Sequence, residues 1–446
     1  MSSFDLTGAT VIDGTGATPL RDATVRVRDG RIEAVWTGSV RPETAALVVD
    51  QAIDVRGMTI MPGLIDAHCH ISYGEGRTAE EVDVYGGAEW SAVRAVWNAR
   101  KVLHSGVTSF CDPGSTWNVA VTSRDAIESG MYEGPRIFAG GRHLSADGGF
   151  ADYFPSWLGM PPSAEGVLCP TRDEIGREVR RQVKNRVDLV KISGDSQAQE
   201  RSPQAGPCFT DDELQLIVSL AHKYTKKVTV HSRYAETVLA CARAGVDWLI
   251  HASYMRVDDI NEIRDLQVPI CPTIAFSANI VEFGRDVGVD ESYIEAKRRE
   301  LDALANVLTR AIAAGVPMMM GSESGFSVTP YGEWHVRELE LMVKLLGMSP
   351  MDVIVASTSN NARAFGWTGQ TGTVEAGCWA DLLVVDGDPL NDIGILADKN
   401  RLHAIYKSGE RINVDATAKT RRRMSHERGF SVSRDVLHRQ DQRNSM

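Results

Sequence analysis

"GLIDAHCHI", residues 63–71, runs apolar and then delivers His68 and His70, two positions apart. On an extended strand, residues i and i+2 share a face, so both imidazoles project the same way. Such a pair either holds a divalent cation or is a hydrogen-bonded pair of core histidines. The choice rests on what neighbouring strands bring to the same place, and so on the fold.

Seven more runs are apolar in the same way. They are "GVTSFCD" (106–112), "PRIFAGG" (135–141), "DLVKISG" (188–194), "KVTVHSR" (227–233), "DWLIHAS" (247–253), "VPICPTIAF" (268–276) and "VPMMMGSE" (316–323). Near-continuous apolar strands suit a parallel sheet covered on both faces, and eight is the number that closes a β/α barrel. Helical periodicity separates several of them, at 88–106, 211–225 and 294–315, with two more helices expected at 331–347 and 349–366. Residues 6–61 and 372–413 read instead as short alternating strands, and Asp29-Gly30 is a hairpin signal. The expected fold class is α/β. A (β/α)8 TIM-type barrel spans 63–369, and a small β-sandwich domain is built from both chain ends, 1–62 and 370–413. Residues 414–446 form a polar, Arg-rich extension, read either as a mobile arm or as a segment packing on a neighbouring subunit.

Composition narrows the function. The chain has 446 residues, 43% of them hydrophobic, enough for a large core and more than one structural unit. No apolar run approaches the roughly 20 residues that span a bilayer, and Met1 to Gly8 lacks the shape of a signal peptide. A cytoplasmic protein without membrane partners is expected. The net charge of -11 argues against a nucleic-acid partner. Seven scattered cysteines without CxxC spacing argue against disulfides and zinc knuckles, and read as small buried residues.

The other strand ends add weight to the histidine pair. "KVTVHSR" carries His231, "DWLIHAS" His251 and "DLVKISG" Lys191, while the methionine strand ends on Glu323 between Ser322 and Ser324. Singly, each has a structural explanation: a satisfied histidine, or a lysine that snorkels or pairs. In a barrel, however, strand C-termini meet at one mouth, where active sites sit. Four histidines, a lysine and a carboxylate converging there are costly to bury without metal or mutual pairing.

With "MPGLIDAHCHI", the Lys191 strand, "VTVHSR", "LIHASY", "GSES" and the closing "GTVEAGCWADLLVVDGDPL", the chain resembles the amidohydrolase superfamily of metal-dependent hydrolases along most of its length. The resemblance implies two divalent metal ions. His68 and His70 would bind one, and His231 and His251 the other. Lys191, N6-carboxylated, would bridge them. Glu323 would touch metal and act as the catalytic base and acid. Zinc suits these ligands, as do cobalt, manganese and iron. "PYGEWHVRELELMVKLLGMSPMDVIVAST" is similar to the branch holding imidazolonepropionase-like and Xaa-Pro dipeptidases, ochratoxin-type amidases, and phenylurea and thiocarbamate hydrolases. A homo-oligomer is expected by analogy.

Two positions depart from that pattern. The family's usual strand-eight residue is aspartate, one methylene shorter than Glu323. A "GGH" in dipeptidase-like members is Gly148-Gly149-Phe150 here, with His143 upstream as a substitute or as an ordinary loop histidine. Arg233 either contacts substrate or pairs with Glu236 or Asp195. Tyr254, closing "LIHASY", is a further substrate candidate. Tyr153, Phe154, Trp157, Leu158 and Met160, and Phe326, Tyr331 and Trp334, either form an aromatic mouth or simply pack long loops. The expected function is hydrolysis of an amide, urea or carbamate bond in a small neutral aryl substrate. The alternatives are a dipeptidase or N-acyl amino acid hydrolase, with Arg233 or Arg142 clamping a carboxylate, and a cyclic-amide hydrolase. A non-enzymatic barrel that binds a partner would be expected to have lost ligands, and every ligand position here holds a competent residue.

Overall fold

The computed structural model describes residues 3–38, 42, 49–197, 206–414 and 437–439. Most of the Arg-rich extension, 415–436 and 440–446, lies outside the described residues.

The two chain ends interleave in one eight-stranded sheet. Ser3–Val11 pairs antiparallel with Leu20–Arg28 and parallel with Thr59–Pro62, and Thr59–Pro62 pairs antiparallel with Leu382–Val385. Asp29 and Gly30 form the two-residue turn between Leu20–Arg28 and Arg31–Thr37, with φ of 52° and 79°, as a primed hairpin turn requires. The expected sandwich is a single sheet curled on itself: Phe4 and Tyr406, three strands apart, stack at 5.1 Å between ring centroids.

The middle of the chain alternates parallel strands and helices. Leu64–Asp66, Val107–Asp112 and Arg136–Ala139 form one parallel sheet. A six-stranded parallel sheet contains Leu189–Ser193, Lys227–Tyr234, Trp248–Tyr254 and Ile270–Cys271, and adds His143–Ser145 and Gly166–Leu168 at its edge. All five residues of Leu189–Ser193 are buried, as a strand covered on both faces demands. Single parallel bridges join Gly140 to Leu189, Ile270 to Met318, and Cys69 to Ser324.

Two expected strands are shorter than their apolar runs. In "VPICPTIAF" only Ile270–Cys271 is strand. Pro272 offers no N–H, Thr273 takes a φ of 52°, and a helix, Ile274–Phe283, begins at once. Residues 316–323 form an extended segment with single bridges and no ladder. The N–H of Ser322 goes to the Asp66 carboxylate at 3.0 Å and that of Ser324 to Ser322 Oγ at 3.2 Å, while between them Glu323 N–H bonds the His68 carbonyl at 2.8 Å.

The helices expected at 88–106, 211–225 and 331–347 appear as Ala88–Leu103, Asp211–Lys223 and His335–Leu346. Thr210 and Glu213 close a capping box on the second, and Thr210→Ala would cost about 1 kcal/mol. The 294–315 helix is longer, Glu291–Ala313. Residues 349–366 split into Pro350–Ala356 and Ser359–Ala364.

Near the C-terminus, Leu437 is buried with Phe283, Val328 and Trp334. Its N–H donates to the Ser327 carbonyl at 3.0 Å, and its own carbonyl accepts from Trp334 Nε1 at 3.1 Å. His438 pairs with Glu333 and Arg439 with Glu340. This clip seats the loop that follows Glu323.

Candidate metal centre

His68 and His70 follow Leu64–Asp66 directly, and their shared face holds. Their Nε2 atoms lie 2.7 Å apart. Glu323 meets both, its Oε2 3.4 Å from His68 Nε2 and its Oε1 3.6 Å from His70 Nε2. One ligand atom from each of the three falls within 4.8 Å of the others, and all three residues are buried. Buried His68 Nδ1 and Glu323 Oε2 have no hydrogen-bond partner among the described residues. Two imidazoles and a carboxylate this close suit a divalent cation. The electrostatics agree. Burial alone would lower His70, but the carboxylates of Asp112 and Glu323 outweigh it and hold His70 up at about 9, so positive charge is favoured at this point.

The second pair is His231 and His251, whose Nδ1 and Nε2 atoms lie 3.0 Å apart. Thr273 Oγ1 donates to the Pro272 carbonyl, so at 2.5 Å from His251 Nδ1 it must accept. His251 therefore presents the Nε2 lone pair. Arg233 Nη1 donates to His231 Nε2 at 2.5 Å, which leaves a proton on His231 Nδ1 pointing at His251. Lys191 is buried among these groups. Burial brings its ammonium down to about 8. Burial holds His68, His143, His231 and His251 well below the usual imidazole range, with the Lys191 charge adding to it at His68 and His143 and the Arg233 charge foremost at His231 and His251.

The supports beneath the ligands were not expected. Asp66 accepts from His68 N at 2.9 Å and from Ser322 Oγ at 2.5 Å, and lies 2.7 Å from His335 Nδ1. Ser322 and Ser324 thus serve this network and not Glu323 itself. One turn along the same helix, Glu338 accepts the N–H groups of Ile274 and Ala275 at 2.9 and 2.7 Å, next to Thr273. Three of the residues so held have left-handed backbone: His251 (φ 73°), Thr273 (52°) and Glu323 (56°). Such conformations cost about 1–3 kcal/mol each and persist where the surroundings impose them. Gly325, at φ 135°, lets the chain leave Glu323, since a Cβ there would sit 2.6 Å from the His70 carbonyl oxygen.

All six ligand candidates except His251 line a cavity of about 1110 Å³. The four substrate candidates line it too: His143, Phe150, Arg233 and Tyr254. Phe150 stacks on His231 at 3.8 Å, and Tyr73, missed from the sequence, stacks on His70 at 4.1 Å. His143 Nδ1 bonds Ser193 Oγ, and a side chain on Gly114 would strike its Nε2 at 1.5 Å. Arg233 pairs with neither expected partner through its side chain. It donates to Glu300 at 2.8 Å, only its backbone N–H reaches Asp195, and Glu236 is taken by Arg256.

Several mouth residues are corrected. Trp157 and Leu158 are 83% and 70% exposed, and neither they nor Phe154 and Met160 line the cavity. Tyr331 and Trp334 are buried in packing, the first donating to the His70 carbonyl. Arg142 turns away to the carbonyls of Ala164 and Pro161, which hold its guanidinium, and it does not line the cavity. The aromatic wall consists instead of Tyr73, Phe150, Tyr153, Tyr234, Tyr254, Phe276, Tyr293 and Phe326.

Residues 59–412 match the Amidohydrolase family. The ochratoxinase of Aspergillus niger is 26% identical over 423 residues, covering 90% of this chain and 84% of its own. The crystal structure of a Xaa-Pro dipeptidase with bound methionine in its active site is similar at a TM-score of 0.79 and 25% identity, over 92% of this chain and 100% of that one. Phenylurea hydrolase B, at 22% identity, a TM-score of 0.74 and coverage of 94% and 99%, shares the fold. The chain belongs to the amidohydrolase family: it is a hydrolase acting on carbon–nitrogen bonds, with a TIM-type barrel and a small second domain.

Proposed function

We propose that this protein is a metal-dependent hydrolase that cleaves an amide, urea or carbamate C–N bond in a small aryl-bearing substrate. The observation that carries this reading is the His68–His70–Glu323 cluster, three ligand atoms within 4.8 Å, in a cavity walled by aromatic rings. His68, His70 and Glu323 would hold one divalent cation, zinc, cobalt, manganese or iron. His231 and His251 would hold a second, with Lys191 carboxylated between them. Its amine, brought down to about 8 by burial, is partly neutral near pH 7, and the neutral form is the one that reacts with carbon dioxide. The cations supply the usual chemistry of such sites: a water acidified to near-neutral pKa and a polarised carbonyl. Glu323 takes the proton of the attacking water and returns it to the departing nitrogen. Phe150 and Tyr73, stacked on His231 and His70, keep bulk water off the ligands and offer faces to an aryl group.

In the same reading, the parallel segments joined by the single bridges form the closed barrel over 63–369, and 1–62 with 370–413 make up the small domain. A hydrolysis screen of metal-loaded protein over aryl ureas, carbamates, anilides and acyl amino acids, alongside metal analysis, tests the function. Less than about one equivalent of metal, with no hydrolysis on adding zinc, cobalt or manganese, would remove it. Glu323→Asp tests the longer side chain. Undiminished turnover would show that the extra methylene has no role. A second reading, hydrolysis of an N-acyl amino acid, is favoured by the two cations that converge on Glu300.

A further inference from the structure

Asp195 follows the strand Leu189–Ser193, lines the cavity and is only 2% exposed. Its loop is tied to the strand that carries His231. The Gly194 N–H donates to the His231 carbonyl at 3.0 Å, and the Arg233 N–H donates to Asp195 Oδ2 at 2.7 Å. The same Oδ2 lies 3.5 Å from His231 Nε2. Asp195 Oδ1 makes no hydrogen bond of normal length among the described residues, although the Thr237 hydroxyl and the Tyr234 N–H stand close enough to favour the charged form. A buried carboxylate with spare acceptor capacity thus lies beside one nitrogen of a candidate ligand.

The two nitrogens of His231 face different groups. Nδ1 meets His251 Nε2 at 3.0 Å, so a cation shared with His251 takes Nδ1. A neutral imidazole bound through one nitrogen carries its proton on the other, and His231 Nε2 must then donate. In the structure that nitrogen accepts from Arg233 Nη1, and two donors cannot face each other. Arg233 has other partners to keep. Glu300, which it shares with Lys297, accepts from its Nε at 2.8 Å, and the charges of Glu323 and Asp195 also act on it. The acceptor left beside Nε2 is the Asp195 carboxylate. From 3.5 Å, a closure of about 0.5 Å reaches ordinary N–H···O length.

We propose that Asp195 is a positioning residue for the second cation: it accepts the His231 Nε2–H once Nδ1 is a ligand, and Arg233 yields that nitrogen to it. Asp195 acts through His231 and not on the reacting atoms. A ligating histidine that donates to a carboxylate is held in one tautomer and one orientation, and loss of such a partner weakens the metal about 10–100-fold. This rests on the two-cation reading of the site and deepens it.

The test titrates zinc-loaded protein with a competing chelator and resolves two dissociation constants. Asp195→Asn keeps an oxygen for the Arg233 N–H but offers the imidazole a weaker, uncharged acceptor. It weakens the second zinc at least about tenfold and leaves the first nearly unchanged. The imidazole proton gives a reading that a merely structural role would not move. His68 and His70 face each other through Nε2, and His251 donates from Nδ1 to Thr273, so of the four candidate ligands His231 alone would carry its proton on Nε2. By NMR of zinc-loaded protein with isotope-labelled histidine, that proton lies downfield, as a carboxylate-bound N–H does. Asp195→Asn moves it upfield and leaves the other ligand signals in place. A second constant that changes less than about threefold, equal weakening of both cations, or a His231 proton on Nδ1 in the loaded protein overturns the proposal. Uptake of a single cation by the native protein overturns it too, while the hydrolase reading is judged separately, by the substrate screen on the same preparation.

Discussion

The two histidine pairs are built from the same residue type on the same kind of strand, yet they differ in what occupies their nitrogens. At His68 and His70 the Nε2 atoms face each other across 2.7 Å with Glu323 alongside, and His68 Nδ1 has no partner among the described residues. At His231 and His251 every ring nitrogen is engaged: by Arg233, by Thr273, and by the other ring. Both pairs must give up a ring proton to receive a cation, but only the second must also displace Arg233. Both are braced by the helix His335–Leu346, through His335 under the first and Glu338 under the second. Competent ligands at matching positions therefore need not make equivalent sites.

The largest effect falls on the first site. Glu323→Ala should lower kcat by about 10²–10⁴ while circular dichroism stays native, as expected for a group that moves a proton. A rate within tenfold of native would take Glu323 out of the proton path. Next comes the link between the sites. Lys191→Ala should reduce bound metal from two equivalents to about one, the survivor at the first pair, and slow turnover with it. Two equivalents at full rate would show that the lysine does not bridge.

Thr273→Val keeps the side-chain shape and removes the oxygen that holds the His251 tautomer. We expect about 10–100-fold weaker binding of the second cation, measured by chelator competition, with the first unaffected. Equal weakening of both would erase the asymmetry. The smallest effect is on stability. Burial raises the Glu338 carboxyl to about 8, against two backbone N–H bonds that lower it. A carboxyl raised in the fold contributes stability below its unfolded pKa, and loses that contribution as pH rises through the folded value. Glu338→Gln cannot ionise, so its melting temperature should fall less than that of the native protein between about pH 6 and about pH 9. Parallel declines would mean that Glu338 does not titrate in this window.

The proposed ligands were legible because each lies within or just after an apolar run, where alternation fixes the face it presents. Lys297 and Glu300 were not. They lie in "IEAKRRELDAL", where charged residues at helical spacing read as a solvated face, and only the packing shows which of them turn inward. Thr273 was hidden inside a run that reads as strand, because a left-handed β-branched residue contradicts every local preference. Arg142 misleads for the opposite reason. It sits next to His143, which lines the cavity, but nearby carbonyls claim its guanidinium first. Phe150, in place of the family's histidine, was legible as a position, while its stacking on His231 needed the fold.

The clip at Leu437 has a consequence for synthesis. Trp334 and its partner Leu437 are 103 residues apart. At about 5–20 residues per second, a ribosome needs roughly 5–20 s to cover that distance. During this interval every ligand-bearing strand has been made, but the apolar seat around Phe283, Val328 and Trp334 has no occupant. The nascent chain then offers chaperones and proteases a groove that the finished protein closes, beside the loop that carries Glu323.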